Sequence, residues 1–252
     1  MSPADGLLHA ALDCALLSGR AALRHFGGGF VVERKGDGSP VTVADREAER
    51  AARDWIAERF PGDGVIGEEF GRTEGMTGRT WLLDPVDGTR TFVRGVPLWG
   101  SLVAIVEGET VLAGAASFPA LGESIIAAPG QGCWHNAARC GVSGTNRLRD
   151  ALVLTSDAHG FTAEHGPGWQ RLASSAATVR TWGDCYGYLL VATGRAEVMA
   201  DGRLGPWDIA CFIPIIAEAG GVITDLEGRS GWRITNALAS NAAVAVEARA
   251  CF

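Results

Sequence analysis

The string Asp84-Pro85-Val86-Asp87-Gly88-Thr89 follows the apolar run Trp81-Leu82-Leu83, and it limits the fold more than any other stretch of this chain. A Pro after Asp84 disfavours helix at that residue, so the segment is predicted to leave a strand by a tight turn. Both carboxylates and the Val86 carbonyl can then face one pair of ions. Gly88 lets the backbone approach an anion closely, and Thr89 is predicted to open a helix whose free amides would meet a phosphate. An isolated Asp-x-x-Asp reads more simply as an Asp-rich turn capping a helix. The full six-residue string is more specific than that.

Two further acidic segments repeat the theme. Gly67-Glu68-Glu69 ends the short apolar segment Val65-Ile66-Gly67, and Pro206-Trp207-Asp208-Ile209-Ala210 lies far downstream. Alone, Glu68-Glu69 would be a solvated pair on a loop, and Asp208 an N-cap beside a core Trp. Taken in order with the first string, they place acids just past strand ends, where open sheets bind ligands. Hard divalent cations take oxygen ligands and bind through a few carboxylates plus a substrate phosphate. A site that clamps a phosphate between two metals therefore needs acids from several strand ends and no cysteine or histidine cluster.

At 252 residues the chain can bury a substantial core, as one compact unit or two closely packed halves. A hydrophobic fraction of 47% and a charged fraction of 20% suit a globular protein in water. The longest apolar run, Ile209 to Ala217, is too short to span a bilayer. No basic region precedes an apolar stretch at the N-terminus, so no secretory signal is read and a cytoplasmic location is expected. A net charge of −7 argues against a phosphate-backbone-binding surface, so neither nucleic acid nor membrane is an expected partner. The six cysteines show no Cys-x-x-Cys spacing and are read as reduced, mostly buried thiols. All but one of the 22 basic Lys and Arg residues are Arg, which makes Lys35 conspicuous: a compact ammonium is not equivalent to a guanidinium.

Helical spacing of Leu7, Leu8, Ala11, Leu12, Ala15, Leu16 and Leu23 predicts a helix over 5–26. A strand is predicted over Phe30 to Lys35, then a turn over 36–40. Thr42 and Asp45 are predicted to open a second helix ending near Phe60-Pro61-Gly62. Residues 100–134 read as an antiparallel meander. The rest reads as strand 152–156, helix near 168–175, strand 178–182, helix 185–194, strand 196–200, helix 207–219 kinked by Pro214, and closing strands. The class is α+β. The expected arrangement is a single unit over 1–252, its N-terminal half (about 1–145) carrying most metal ligands and its C-terminal half (about 146–252) closing the site. The seam is expected near Gly141 to Asp150.

The Gly-Glu-Glu, Asp-Pro-Val-Asp-Gly-Thr and Trp-Asp-Ile-Ala segments resemble, in order and spacing over nearly the whole chain, the inositol monophosphatase superfamily of Mg²⁺-dependent, Li⁺-sensitive phosphatases. The resemblance implies the layered αβαβα sandwich of the inositol monophosphatase and fructose bisphosphatase type. It implies that Glu68, Asp84 and the Val86 carbonyl hold a first metal, and Asp84, Asp87 and Asp208 a second. Asp45 matches an acid at the rim that reaches a weak third ion through water, giving two or three Mg²⁺ ions with Mn²⁺ as a substitute. The implied reaction is in-line attack by a metal-activated water on a phosphate monoester, with Glu68, Thr89 and Asp45 as the catalytic set. Thr89, paired with Asp45, would accept or orient the water's proton, while the Gly88 and Thr89 amides hold phosphate oxygens. Lys35 matches a family Lys that assists metal or phosphate binding; a surface cation is the alternative.

Two stretches, Gly88 to Gly100 and Gly183-Asp184-Cys185-Tyr186-Gly187-Tyr188, look like the histidinol-phosphate phosphatase branch. Its substrate carries an ammonium and a protonatable imidazole, which acids would suit. Asp184 and Asp201 are the candidates. Asp184 is equally a candidate N-cap for the helix at 185–194, and Arg180 would either orient Asp184 or be surface charge. Gly202 and Arg203 depart from that branch, where apolar residues are more usual, which leaves substrate breadth open. Inositol monophosphate hydrolysis, or a broad small-molecule phosphatase, is the alternative, and a regulatory or binding protein on the same scaffold a further one. A family-like homodimer is expected, supported by the meander at 100–134 and by aromatics such as Trp99 read as exposed.

Overall fold

The computed structural model describes residues 3–29, 32–34 and 40–252. Lys35, half of the strand expected over Phe30 to Lys35 and most of the turn that follows lie outside the described residues.

The first helix, α1 (Pro3–Leu23), precedes a two-residue pairing of β1 (Glu33–Arg34) with β2 (Pro40–Val41). Helix α2 (Val43–Arg59) starts where the sequence says it should. Thr42 caps it: its hydroxyl accepts from the Ala44 amide at 3.1 Å, and Asp45 reaches back to accept from the Thr42 amide at 2.8 Å. An eight-stranded sheet follows, from β3 (Gly64–Gly67), β4 (Gly71–Thr73), β5 (Arg79–Asp87), β6 (Gly100–Glu107), β7 (Thr110–Phe118), β8 (Glu123–Ala127), β9 (Cys133–His135) and β10 (Ala138–Arg139), with the one-turn helix α3 (Thr89–Phe92) after β5. Strands β6 to β9 form the expected antiparallel meander. The edge strand β4, polar and exposed, carries no apolar pattern and was not anticipated.

A second, five-stranded sheet is built from β11 (Leu152–Leu154), β12 (Thr178–Arg180), β13 (Val198–Gly202), β14 (Gly221–Thr224) and β15 (Asn236–Asn241), in the order β12-β11-β13-β15-β14. Its helices are α4 (Ala158–Ser175), α5 (Asp184–Ala192), α6 (Pro206–Ile209), α7 (Phe212–Glu218) and α8 (Ala245–Arg249). Helix α4 begins ten residues before the expected start near 168, with a non-helical break at His165. Gly166-Pro167-Gly168 conceals the helix in the sequence, because Gly and Pro both penalise helix interiors. The helix expected over 207–219 is two, parting at Ala210 and Cys211. Pro214 causes this one turn upstream of itself, since the amide it lacks would have bonded the Ala210 carbonyl. The expected closing strands are β14 and β15, and the short helix α8 follows them.

Five layers result. Helices α1 and α2 pack on one face of the large sheet through Leu8, Ala11, Ala52, Ile56, Trp81, Leu83, Val103 and Ile105. Its other face and the small sheet enclose α5, α6 and α7 around Leu82, Leu102, Tyr188, Met199, Phe212 and Ile215. Helices α4 and α8 cover the outer face of the small sheet through Phe161, Trp169, Leu172, Val198, Leu238 and Val244. Fully burying each such large side chain contributes about 1.5–3 kcal/mol. Trp99, expected at the surface, is fully buried, its ring centroid 4.8 Å from that of Phe92 and 5.5 Å from that of Phe26. Among the described residues, no helix is long and apolar enough to cross a membrane.

Candidate active site

The site starts from an irregularity in β5. Asp84 pairs with Leu102 of β6 and Asp87 with Gly100, so three steps along β5 match two along β6. In a regular strand, residues three apart point to opposite faces. The inserted residue of this bulge returns Asp87 to the face that Asp84 occupies. Packing confirms the switch: Leu82 points between the sheets, whereas Trp81, Leu83 and, beyond the bulge, Val86 all face the α1 and α2 layer. The turn expected after Asp84 is therefore a bulged continuation of the strand, with the Ser101 hydroxyl donating to the Pro85 carbonyl at 2.6 Å.

Asp208 on α6 comes in from the second sheet's half of the chain. Carboxylate oxygens of Asp84, Asp87 and Asp208 all lie within 4.8 Å of one another. At that spacing two unit charges repel by about 3 kcal/mol at an effective dielectric constant near 20. Burial pushes the Asp84 carboxyl well above the usual carboxylate range, and the charges of Glu68, Asp87 and Asp208 push it further. Asp87 is raised likewise, by burial and then by Asp184 and Asp208, although the Cys185 amide donates to it at 2.5 Å. Clustered, desolvated oxygen donors of this kind fit a hard divalent cation. Glu68 follows β3, outside this tight group but close enough for its charge to act on Asp84.

Asp45, fully buried on α2, accepts from both the amide and the hydroxyl of Thr42. The Thr89 hydroxyl lies 3.2 Å from Asp45 Oδ1 and 3.1 Å from the Val86 carbonyl, so its single hydrogen can serve either acceptor. Burial raises the Asp45 carboxyl, against the opposing pull of the Thr42 and Thr89 hydrogen bonds. Gly88 adopts φ 82°, which favours glycine, and a side chain there would crowd Asp184 Oδ2 at 3.1 Å.

The opposite wall comes from the small sheet. Asp184 does not cap α5; Gly183 holds the cap position, and Asp184 is the first helical residue at φ 49°. Its carboxylate accepts from the Thr91 hydroxyl at 2.9 Å, its amide donates to the Ser156 hydroxyl at 2.8 Å, and burial raises its pKa. Asp201 on β13 is buried and pushed up to about 7, chiefly by burial and by Asp184. Arg180 fits the surface-charge alternative: it is exposed and donates to the Val179 carbonyl. The cation acting on Asp184 is Arg90.

Glu68, Asp84, Asp87, Asp184, Asp201 and Asp208 line one cavity of about 290 Å³ with the turn Val86-Asp87-Gly88-Thr89, and Ser156, Asp157, Arg90 and Arg203 also line it, while Asp45 lies outside that lining, behind Thr89. The sequence reading assigned none of Ser156, Asp157, Arg90 and Arg203 to the site, although it noted Arg203 as a departure from the histidinol branch. Ser156-Asp157 follow the apolar run Leu152–Leu154 just as the other acids follow theirs, a signal lost by extending that strand to 156. Glu49 was missed too. Fully buried on α2, it accepts from the amides of Glu69 at 2.7 Å and Phe70 at 3.2 Å and is paired with Arg53 at 2.7 Å. It thereby holds the turn that carries Glu68. Two wider grooves along α4, lined by Pro167, Gln170 and Ser174, lie apart from the acid cluster.

A model of the inositol monophosphatase family matches residues 5–250. The chain is 43% identical over 225 residues to the histidinol-phosphatase of Chlorobaculum parvum, covering 88% of this chain and 86% of that one. It is 38% identical over 219 residues to the histidinol-phosphatase of Mycobacterium tuberculosis, covering 83% of each. Among solved structures, the Thermotoga maritima IMPase superposes with a TM-score of 0.89 at 30% identity, covering 98% of this chain and 96% of that one.

Proposed function

Because the chain belongs to the inositol monophosphatase family, we propose that this phosphoric monoester hydrolase acts on L-histidinol phosphate. One observation carries the choice of substrate: the cavity wall facing the Asp84, Asp87 and Asp208 cluster is itself acidic, from Asp157, Asp184 and Asp201. Such a wall suits a leaving alcohol that bears positive charge. The resemblance to the two histidinol-phosphatases supports the same reading.

The family is Mg²⁺-dependent in general, and the donor set here fits that ion. In this proposal Glu68, Asp84, Asp87, Asp208 and the Val86 carbonyl hold two Mg²⁺ ions, with a third reached from Asp45 and Mn²⁺ able to substitute. When bound, Mg²⁺ offsets the charge on the phosphate and the leaving oxygen and makes water more acidic. The chain's own residues position the reactants. The backbone at Gly88 and Thr89 receives the phosphate oxygens, and the Thr89 hydroxyl, in reach of Asp45, orients or accepts the proton of the attacking water. Thr91 holds Asp184 toward the alcohol half, and Asp201, poised near neutrality, becomes fully ionised when a cation arrives beside it. A homodimer stays an expectation from family resemblance, without Trp99 as its support, and sedimentation would read it.

The test is phosphate release by purified protein with Mg²⁺ on L-histidinol phosphate and inositol monophosphate at equal concentration. A preference of about tenfold or more for histidinol phosphate, roughly 1.4 kcal/mol in transition-state binding, is expected. The reverse preference would leave the metal site standing and overturn the assignment of the acidic wall.

A further inference from the structure

Two thiols lie outside the chemistry described so far. Strands β9 and β10 form a hairpin in which His135 pairs with Ala138 and Trp134 with Arg139, so the next cross-strand partners are Cys133 and Cys140. The Cys140 amide donates to the Cys133 carbonyl at 3.0 Å, and the two Sγ atoms are 3.4 Å apart. Hydrogen-bonded antiparallel partners have Cα atoms about 5.5 Å apart, within the span a disulfide bridges. Exposure is unequal: Cys133 is fully buried in the core between the sheets, whereas Cys140 is partly open to solvent.

We propose that Cys133 and Cys140 are a site of reversible oxidation, closing to an intramolecular disulfide when a small disulfide such as oxidised glutathione is present. The order of events follows from the geometry. Cys140, the accessible partner, attacks one sulfur of the oxidised glutathione as a thiolate; a mixed disulfide forms and one glutathione leaves. Cys133 then attacks the Cys140 sulfur, gives up its proton, and expels the second glutathione. The protein loses two electrons and two protons, and the oxidant gains both as two molecules of reduced glutathione. Electrostatics agree with this division of roles. The hydrogen bond shared with Cys133 lowers the Cys140 thiol, while that same bond and then burial raise Cys133. Once Cys140 is a mixed disulfide, the main cause raising Cys133 is gone.

The bond would fasten the hairpin to the strand-free segment that leaves the large sheet. Val142, two residues beyond Cys140, donates to the Ala219 carbonyl at 3.0 Å, and Glu218 accepts from the Gly130 and Gly132 amides at 2.7 Å each. The cross-link therefore lies where the large sheet meets the end of α7.

The experiment is to treat the native protein with oxidised glutathione, quench by alkylation, and record intact mass and a non-reducing tryptic map. Arg139 lies between the two cysteines, so cleavage there leaves two peptides held together only by the new bond. The expected result is loss of two hydrogens from the wild type and a linked Cys133 and Cys140 pair. Cys133→Ser should instead stop at a glutathione adduct on Cys140. A wild type that stops at that adduct, stays fully reduced, or links either residue to another cysteine overturns the proposal. The wild-type map decides this even if the variant fails to fold.

Discussion

Gly67 is glycine because a buried carboxylate occupies the space a side chain would need. A Cβ there would lie within 2.0 Å of Glu49 Oε1. Glu49 in turn grips the amides of Glu69 and Phe70, so the orientation of Glu68 rests on a charge that touches no reactant. Partners that orient metal ligands in this way typically change metal affinity 10–100-fold when lost. Gly67→Ala should therefore raise the Mg²⁺ concentration for half-maximal binding by about tenfold, read by calorimetry. In a Glu49→Ala background the same change should add little, because the obstructing carboxylate is gone. Equal penalties in both backgrounds would show that the glycine answers to something else. At this scale, residue types pointed to the candidate acids, since Glu68, Asp84, Asp87 and Asp208 stand beside Gly, Pro and Trp, and the structure brings the three aspartates together. The supporting groups Glu49, Arg90 and Ser156 were invisible, because their importance lies in which distant atom they meet.

Elements were legible where a local rule decides them. Thr42 and Asp45 specify the start of α2 through their own hydrogen bonds, and the meander declares its turns. The bulge in β5 could not be read, because it is defined by register against β6 and no residue of β5 encodes that pairing alone. The β9 to β10 hairpin shows a third case. Its two-residue turn places Asn136 at φ 47° and Ala137 at φ 65°, the left-handed pair that hairpin twist demands. Asn tolerates this conformation; Ala does so at a cost of about 1 kcal/mol. Ala137→Gly should stabilise the protein by about 0.5–1 kcal/mol, net of the added chain entropy of glycine, in denaturant unfolding. A loss of stability would mean that the turn is held by contacts stronger than its backbone preference.

Across the whole molecule, pH acts on stability through acids far from the cavity. Asp63 joins the start of β3 to β5, accepting from Arg79, from the Thr77 hydroxyl at 2.6 Å and from the buried Trp81 indole at 3.0 Å. Burial alone would raise its pKa, but these three donors together hold it below the usual carboxylate range. A carboxyl whose folded pKa is depressed contributes stability in full above its unfolded value near 4 and loses it as pH falls through the folded value. Asp63→Asn should cost about 1.5–3 kcal/mol at neutral pH, and the deficit should shrink on acidification below about pH 4. A deficit independent of pH would assign the loss to packing. The five-layer arrangement entered the sequence reading through family resemblance, and composition alone went no further than α+β.

The bulge between Asp84 and Asp87 also governs how this site can be inherited. Most substitutions in β5 leave strand parity alone and can be repaired by a second substitution nearby. Deleting Pro85 or Val86 would give β5 and β6 a continuous ladder, a better sheet by local measures, with Asp84 and Asp87 still on one face but one residue closer together. The bulge thus adds one peptide unit between two acids that share a face, and a lineage losing that codon would keep both acids but disturb the backbone that sets the Val86 carbonyl beside Thr89.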